Sequence, residues 1–143
     1  MAALNPLPTP WGARLLSVLR IVAGFLFIPH GTQKLFGLPA AAARAPVALL
    51  SLQGVAGTLE TFGGLLVLLG LFTRPVAFVL AGEMAVAYFL RHAPQGFWPL
   101  LNRGELAALY CFLYLYLAAV GGGPWSLDQL RRRAGHAPRT GAA

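Results

Sequence analysis

The sequence predicts an all-α integral membrane protein, a four-helix bundle whose termini both lie in the cytoplasm. Of its 143 residues, 57% are hydrophobic and only 10% are charged, whereas a soluble domain carries about a quarter charged residues. The net charge of +7 would suggest nucleic acid on a polar chain, but a protein that reads nucleic acid needs a basic face on a soluble body. We therefore predict that the partner of this chain is the lipid bilayer and not nucleic acid.

Four apolar stretches emerge when the chain is divided at its charges and at its proline and glycine clusters. A helix needs about 20 residues to cross the hydrocarbon core, with roughly 17 as a lower limit, so the last two stretches require flanking turns. A cleaved signal peptide ending near Ala40–Ala43 is the alternative for the first stretch, which the polar residues His30–Lys34 disfavour. The predicted segments are an N-terminal segment at 1–13, a membrane domain at 14–121 with spans at 15–36, 47–72, 75–91 and 105–121, and a basic tail at 122–143.

Local signals at the end of the chain agree with helices. Asn102 and Glu105 resemble a capping box that opens the fourth span, and a run of glycines closes it. Ser126 and Gln129 then predict the cap of a short amphipathic helix that includes Arg131–Arg133.

The distribution of basic residues predicts the orientation. Lysine and arginine accumulate on the cytoplasmic side of membrane proteins, and four spans place both termini on one side. The side with the termini holds Arg14, Arg20, Arg74, Arg131, Arg132, Arg133 and Arg139, whereas the other side holds Lys34, Arg44, Arg91 and Arg103. We therefore expect both termini to be cytoplasmic.

Polar residues within the spans mark the candidate functional site, because ionisable side chains are costly in a membrane. Glu60 lies near mid-depth on a helical stripe with Gln53, and Glu83 lies in the outer half of the third span. In the first span His30 and Lys34 are four residues apart and share a face. The candidate set also includes Arg20, Gln33, Asn102 and Glu105. These positions predict a polar pocket in the outer half of the bundle.

Each of these residues has a structural alternative. Glu60 and Glu83 could hold helices together as hydrogen-bonding groups, Lys34 could be an interfacial anchor, and Glu105 could serve the start of its helix. His30, Glu60 and Glu83 could bind a metal ion, but nothing in the sequence fixes their geometry. No HExxH or two-histidine pattern is present, so the sequence predicts no metal site. Cys111 is the only cysteine, which excludes an intramolecular disulfide and a CxxC redox pair.

Several segments in order resemble the DoxX family. They are an arginine, a histidine–glycine pair and a lysine in the first span, a glutamate before paired glycines in the second, and shorter segments in the third and fourth. The likeness runs from about residue 14 to residue 130. The shared positions are Arg20, His30, Gly31, Lys34, Glu60, Gly63, Gly64, Arg74, Glu83, Asn102 and Glu105.

The resemblance implies a multi-pass protein of the bacterial inner membrane. The family is named by likeness to the small membrane subunit of a thiosulfate:quinone oxidoreductase, which implies an oxidoreductase subunit of a quinone-linked or oxidative-stress redox system. The cofactor stays open, with a quinone as substrate or ligand. On this hypothesis His30, Glu60 and Glu83 are catalytic, and Arg20, Gln33, Lys34, Gln53, Asn102 and Glu105 bind the ligand.

Two other functions stay open. The chain could be a non-catalytic membrane anchor that recruits redox or detoxification partners through its basic tail. It could also be a small-molecule carrier that works as a homo-oligomer, although no inverted repeat of the transporter kind is evident.

Overall fold

A computed structural model describes residues 10–39 and 47–135, and all regular structure in these two ranges is helical. The all-α prediction is therefore confirmed for the described residues. A π-helical turn joins α2 to α3, and a second π turn followed by a 3₁₀ turn extends α4. The helices are α1 (Pro10–Phe36), α2 (Leu52–Thr58), α3 (Gly64–Leu69), α4 (Thr73–Ala87), α5 (Pro99–Asn102), α6 (Glu105–Val120) and α7 (Leu127–Gly135), and the turns are Leu59–Gly63, Tyr88–His92 and Ala93–Gln95.

Three helical segments are long and apolar enough to cross a membrane, namely Trp11–Phe36, Leu52–Leu69 and Thr73–Gln95. The α6 helix is also apolar but shorter, at 16 residues. Large apolar side chains are exposed along these helices, an arrangement that suits lipid and is unfavourable in water. Examples are Phe25, Phe62, Phe78, Phe89 and Phe112. The membrane character predicted from composition thus extends to the surface of the folded chain.

The helices pair closely along their small residues. The α1 helix packs along α2, the first π turn and α3, while α4 packs along α6. Gly24 and Gly31 of α1 lie against the backbone of the second helical segment, where a methyl group on Gly24 would come within 2.8 Å of the Gly64 carbonyl oxygen. Ala77 and Ala81 are buried on α4. Small residues at such contacts let helix backbones approach each other in membranes.

Three boundaries of the first two helical segments differ from the prediction. The second segment begins at Leu52 rather than at 47, because the Ser51 hydroxyl accepts a hydrogen bond from the Gly54 N–H at 3.1 Å and so caps the helix. It ends at Leu69, where Gly70 adopts a φ of +70°, a left-handed conformation that favours glycine. The α1 helix begins at Pro10 rather than at 15, since proline suits a first helical turn.

The predicted capping box at Asn102 and Glu105 is wrong. Gly104 occupies the N-cap of α6 and makes no side-chain cap, while Asn102 lies in α5 and shapes the turn before α6. Its Oδ1 accepts a hydrogen bond from the Gly104 N–H at 2.8 Å, and its Nδ2 donates to the Gly96 carbonyl at 2.7 Å. The other cap is confirmed, because the Gln129 N–H donates to the hydroxyl of Ser126 at the start of α7.

The segment after α6 folds back onto the bundle and is held there by Arg20. The Arg20 side chain is fully buried. Its Nε donates to the Gly122 carbonyl at 2.9 Å and one Nη donates to the Trp125 carbonyl at 2.8 Å. The other Nη donates to the Val67 and Leu68 carbonyls at the end of α3. This guanidinium therefore joins α1, α3 and the chain that leads into α7.

A second contact fixes α7 itself. The two carboxylate oxygens of Asp128 accept hydrogen bonds from the Phe72 and Thr73 N–H groups, each at 2.8 Å. These N–H groups belong to the start of α4, where no helical carbonyl is available to them. The first part of the predicted basic tail is thus integrated into the helical fold.

Candidate functional site

A cavity of about 860 Å³ lies among α1, α2, α4 and α6, at the end of the bundle away from Arg20. Cavities of roughly 300–1,000 Å³ are typical of small-molecule sites. Apolar side chains form much of its wall. The polar side chains that line it are His30, Gln33, Lys34, Gln53, Glu60, Glu83, Arg91, His92, Gln95, Arg103 and Tyr110.

An ion pair between α1 and the second helical segment lies in this wall. The Lys34 ammonium donates to both carboxylate oxygens of Glu60. Glu60 is only 4% exposed and Lys34 is 33% exposed, so the lysine compensates a buried negative charge. Glu60 lies in the π turn Leu59–Gly63, and π-helical turns are frequent at functional sites.

Glu83 lines the same cavity from α4, but its carboxyl group has no such partner. Both of its oxygens are buried and make no hydrogen bond to any of the described residues. Buried polar groups in native proteins are nearly always hydrogen-bonded. An exception of this kind, in the wall of a cavity, marks a group available to a ligand.

Aromatic rings form the inner end of the cavity. The Phe27 and Tyr110 ring centroids are 5.0 Å apart, and the His30 ring lies 6.3 Å from Phe27 and 6.4 Å from Tyr110. These rings, tilted by 54° to each other, provide an apolar aromatic surface beside the imidazole of His30. A planar ligand could stack here while the imidazole hydrogen-bonds its polar edge.

The cavity brings together six of the nine predicted site residues. They come from three helical segments that the sequence alone does not place in register. The six are His30, Gln33, Lys34, Gln53, Glu60 and Glu83.

The other three predicted residues lie elsewhere. Arg20 is at the opposite end of the bundle, bound to backbone carbonyls. Asn102 is buried at the end of α5, where its side chain accepts a hydrogen bond from the Gly104 N–H. Glu105 is exposed and borders a separate shallow depression with Arg103.

The cavity also contains polar residues absent from the predicted set. Arg91 lies eight residues after Glu83, a spacing that places both on one helical face and could have identified it. His92 belongs to the second π turn, where its Nδ1 lies 3.0 Å from the Asn102 carbonyl oxygen. No sequence pattern separates Tyr110 from the other tyrosines of α6.

The lining residues determine what the cavity can hold. Lys34, Arg91 and Arg103 supply hydrogen-bond donors and positive charge, and the glutamates supply acceptors. Within the described part of the chain, no cluster of three or more His, Cys, Asp or Glu side chains could hold a metal ion. An organic molecule with a polar ring and an apolar portion matches this mixture of donors, acceptors and aromatic surface.

Comparison with known proteins gives a family and one relative. The family model DoxX matches residues 15–93, a range that contains all six predicted residues of the cavity. An uncharacterized protein of Haemophilus influenzae is 45% identical over 122 residues, which cover 79% of this chain and 87% of that relative. No solved structure shows a significant match to the chain.

Proposed function

The chain belongs to the DoxX family, and we propose that it is the membrane component of a quinone-linked or oxidative-stress redox system, with a quinone bound in the cavity. The observation that carries this proposal is the unpartnered carboxyl group of Glu83. It shares the cavity with the ion pair of Lys34 and Glu60, so proton-accepting groups and a cation surround one space.

The proposed topology has four spans in a bacterial inner membrane, with both termini in the cytoplasm. Three long apolar segments and the shorter α6 support this number. Arg20 and Arg74 bind carbonyls at the end of the bundle that carries α7, whereas Lys34, Arg91 and Arg103 line the cavity at the other end. Because basic residues favour the cytoplasmic side, the larger basic group of the sequence supports a cavity in the outer half.

The cavity chemistry suits a quinone in both redox states. The carbonyl oxygens of a quinone accept hydrogen bonds, which the His30 imidazole and the Lys34 ammonium can donate. Its flat ring fits beside Phe27 and Tyr110. In the quinol state, a hydroxyl group donates a hydrogen bond to the carboxylate of Glu83.

The proposed reaction is the interconversion of a quinol and a quinone, in which two protons and two electrons are exchanged. When the quinol is oxidised, its two O–H bonds break, Glu83 accepts one proton, and Glu60 accepts the other as Lys34 turns to the quinone carbonyl. The two electrons pass to the redox centre of a partner protein, because none of the described side chains that line the cavity is an electron acceptor. When the quinone is reduced, the same partner supplies the two electrons and the two glutamic acids return the protons.

The test of this proposal identifies the molecule that is bound in the cavity. We expect wild-type protein purified in native lipid particles to release a stoichiometric quinone on solvent extraction, measured by mass spectrometry. Glu83→Gln and His30→Ala should lose it while remaining folded. Glu105→Gln is the matched control, since this exposed carboxylate lies outside the cavity, and it should retain the quinone.

A second candidate function is a membrane anchor for soluble redox proteins. The exposed arginines Arg131–Arg133 of α7 favour it, because they present a basic surface beside the helical bundle. Wild-type particles without quinone, together with a co-purifying redox protein that is lost when the three arginines become alanine, would support the anchor and contradict the quinone site.

A further inference from the structure

The helices around the cavity do not close it equally on all sides. The α1 helix packs along α2, and α4 packs along α6. The α4 helix meets the second helical segment at α3 and at the π turn Leu59–Gly63, but it has no extensive contact with α2. The α2 helix nevertheless borders the cavity through Leu52, Gln53, Val55 and Ala56. Among the described residues, the cavity therefore has an opening where α2 and α4 lie apart.

The edges of this opening are apolar. Val55 of α2 is 46% exposed, and Val79, Val86 and Leu90 on the α4 side are 49%, 49% and 56% exposed. All four side chains also line the cavity. A side chain that borders a cavity and is exposed to this extent lies at the mouth. Val79 and Val86 of α4 and Leu90 of the π turn that extends it follow one stripe with Glu83, at spacings of four, three and four.

The opening lies at the depth of the charged groups and not only at the outer end. Val79 precedes Glu83 by one helical turn, about 6 Å along the axis at 1.5 Å per residue, on the side toward α3. Leu90 lies about two turns beyond Glu83 on the other side. A wall of this composition within an apolar span faces lipid tails.

We infer that the ligand enters the cavity sideways from the bilayer, and that it is an amphiphile whose tail stays between α2 and α4 while its polar head contacts Glu83. We name this gap, edged by Val55, Val79, Val86 and Leu90, the lateral opening. The inference rests on the proposed function because it takes the cavity as the ligand site, but it holds for any polar head. The occupant is a lipid-soluble molecule, since polar groups meet the head and apolar side chains meet the tail.

The test uses a benzoquinone whose alkyl tail carries a diazirine. The full chain is placed in lipid nanodiscs of phosphatidylethanolamine and phosphatidylglycerol, irradiated, digested and mapped by mass spectrometry. We expect labelling concentrated at Val55, Val79 and Val86, with competition by unlabelled decyl-benzoquinone. Val79→Trp should abolish this labelling because the indole fills the opening. Phe78→Trp is the matched control, since Phe78 is 65% exposed but does not line the cavity.

Three results would overturn the inference. The first is labelling spread evenly over all lipid-facing helices and unchanged in Val79→Trp. The second is labelling confined to Arg91 and Arg103, which would mean access from the aqueous side. The third is a disulfide between two copies of Val55→Cys, together with no labelling of the wild type by the tail of the probe. This result would make the lateral opening an interface between copies.

A second probe separates this inference from the proposed function. A fatty acid with the same diazirine in its tail has a different polar head. If the fatty acid labels the lateral opening and the benzoquinone does not, the lateral route stands and the quinone proposal fails. If quinone is extracted stoichiometrically but the tail labels only the aqueous mouth, the quinone proposal stands and the lateral route fails.

Discussion

Glu60 and Glu83 show how two identical side chains acquire different roles. Both lie in apolar helices and both line the cavity. Lys34 donates to both oxygens of Glu60, so the hydrogen-bonding capacity of that carboxylate is already used within the protein. No described group donates to Glu83. The free carboxyl group is therefore the one available to a ligand, and the paired one contributes to stability as long as its lysine remains.

Removal of Lys34 tests the stabilising role of the pair. Breaking a buried ion pair costs about 3–5 kcal/mol, and we expect about 2 kcal/mol for Lys34→Met because Lys34 is 33% exposed. The measurement is the free energy of unfolding in detergent micelles. The double variant Lys34→Met/Glu60→Gln should recover most of the loss, since no uncompensated charge stays buried. Equal instability of the single and double variants would contradict this explanation.

At the scale of elements, glycine determines how closely α1 approaches the second helical segment. A methyl group on Gly31 would lie 2.5 Å from the Thr61 amide nitrogen and 2.6 Å from the Gly57 carbonyl oxygen. Both contacts are with backbone, which cannot rotate away as a side chain can. This approach also brings Lys34 within reach of Glu60, so the packing of the two helices positions the site.

Gly31→Ala should therefore separate the two helices. Overpacking of this kind costs about 1–3 kcal/mol, and we expect a lower unfolding temperature in detergent. Gly82→Ala is the control, because a methyl group there meets nothing within 4 Å and alanine favours a helix over glycine by about 0.5–1 kcal/mol. If Gly31→Ala is as stable as Gly82→Ala, the close approach is not required.

The junction of α7 with α4 gives a prediction about pH. Partial burial alone would raise the pKa of Asp128, but hydrogen bonds from Thr73 and Phe72 and the charge of Arg131 outweigh it and hold the pKa below its usual value. The ionised carboxylate therefore stabilises the folded chain above the usual aspartate pKa of about 3.9. This stabilisation disappears as the pH falls through the lower pKa of the folded state.

Asp128→Ala should lower the free energy of unfolding by about 1 kcal/mol near neutral pH, in line with the effect of a carboxylate at a helix N-terminus. The difference between wild type and variant should stay constant down to about pH 5 and then shrink as Asp128 protonates below its usual pKa. Thermal unfolding at a series of pH values measures it. A difference that persists unchanged at about pH 2 would show that the charge is not the cause.

At the scale of the whole molecule, the two ends of the bundle have different roles: one holds the helices together and the other contains the cavity. One end is tied together by Arg20 and Asp128, which satisfy backbone groups at the end of α3, at the start of α4 and in the segment after α6. The other end contains the cavity with its unpartnered carboxyl group at Glu83. A rigid end can hold the helices in place while the open end admits a ligand, because the same long helices run through both.

This division predicts that stability and ligand content respond to different substitutions. Arg20→Lys keeps the charge but cannot reproduce the planar set of donors, and we expect a loss of about 3 kcal/mol, since hydrogen bonds from charged groups contribute about 1.5–3 kcal/mol each. Its quinone content, measured on folded protein at low temperature, should equal that of the wild type. Loss of quinone without loss of stability in Arg20→Lys would contradict the division.

Much of this architecture follows from the order of residues alone. The apolar stretches separated by charges and glycines are enough to predict an all-helical membrane protein. In the hydrocarbon core no water is available to the backbone, and a helix satisfies its backbone hydrogen bonds internally. The cost of burying charge singles out Glu60, Glu83 and Lys34 as candidates. Helix caps are less predictable from hydropathy, since Ser51 and Gly104 act through single hydrogen bonds or backbone conformation that apolar content does not reveal.

By itself the sequence determined the membrane helices and the polar residues within them, since both follow from local composition and the energetics of burial. Only the tertiary structure decided which polar residues meet. It brought six of the nine into one cavity, and it paired Lys34 with Glu60 rather than with Glu83. It placed Arg20 at the opposite end, against carbonyls up to 105 residues away along the chain. The physical reason is that helix rotation and register depend on packing between helices, which no short window of sequence contains.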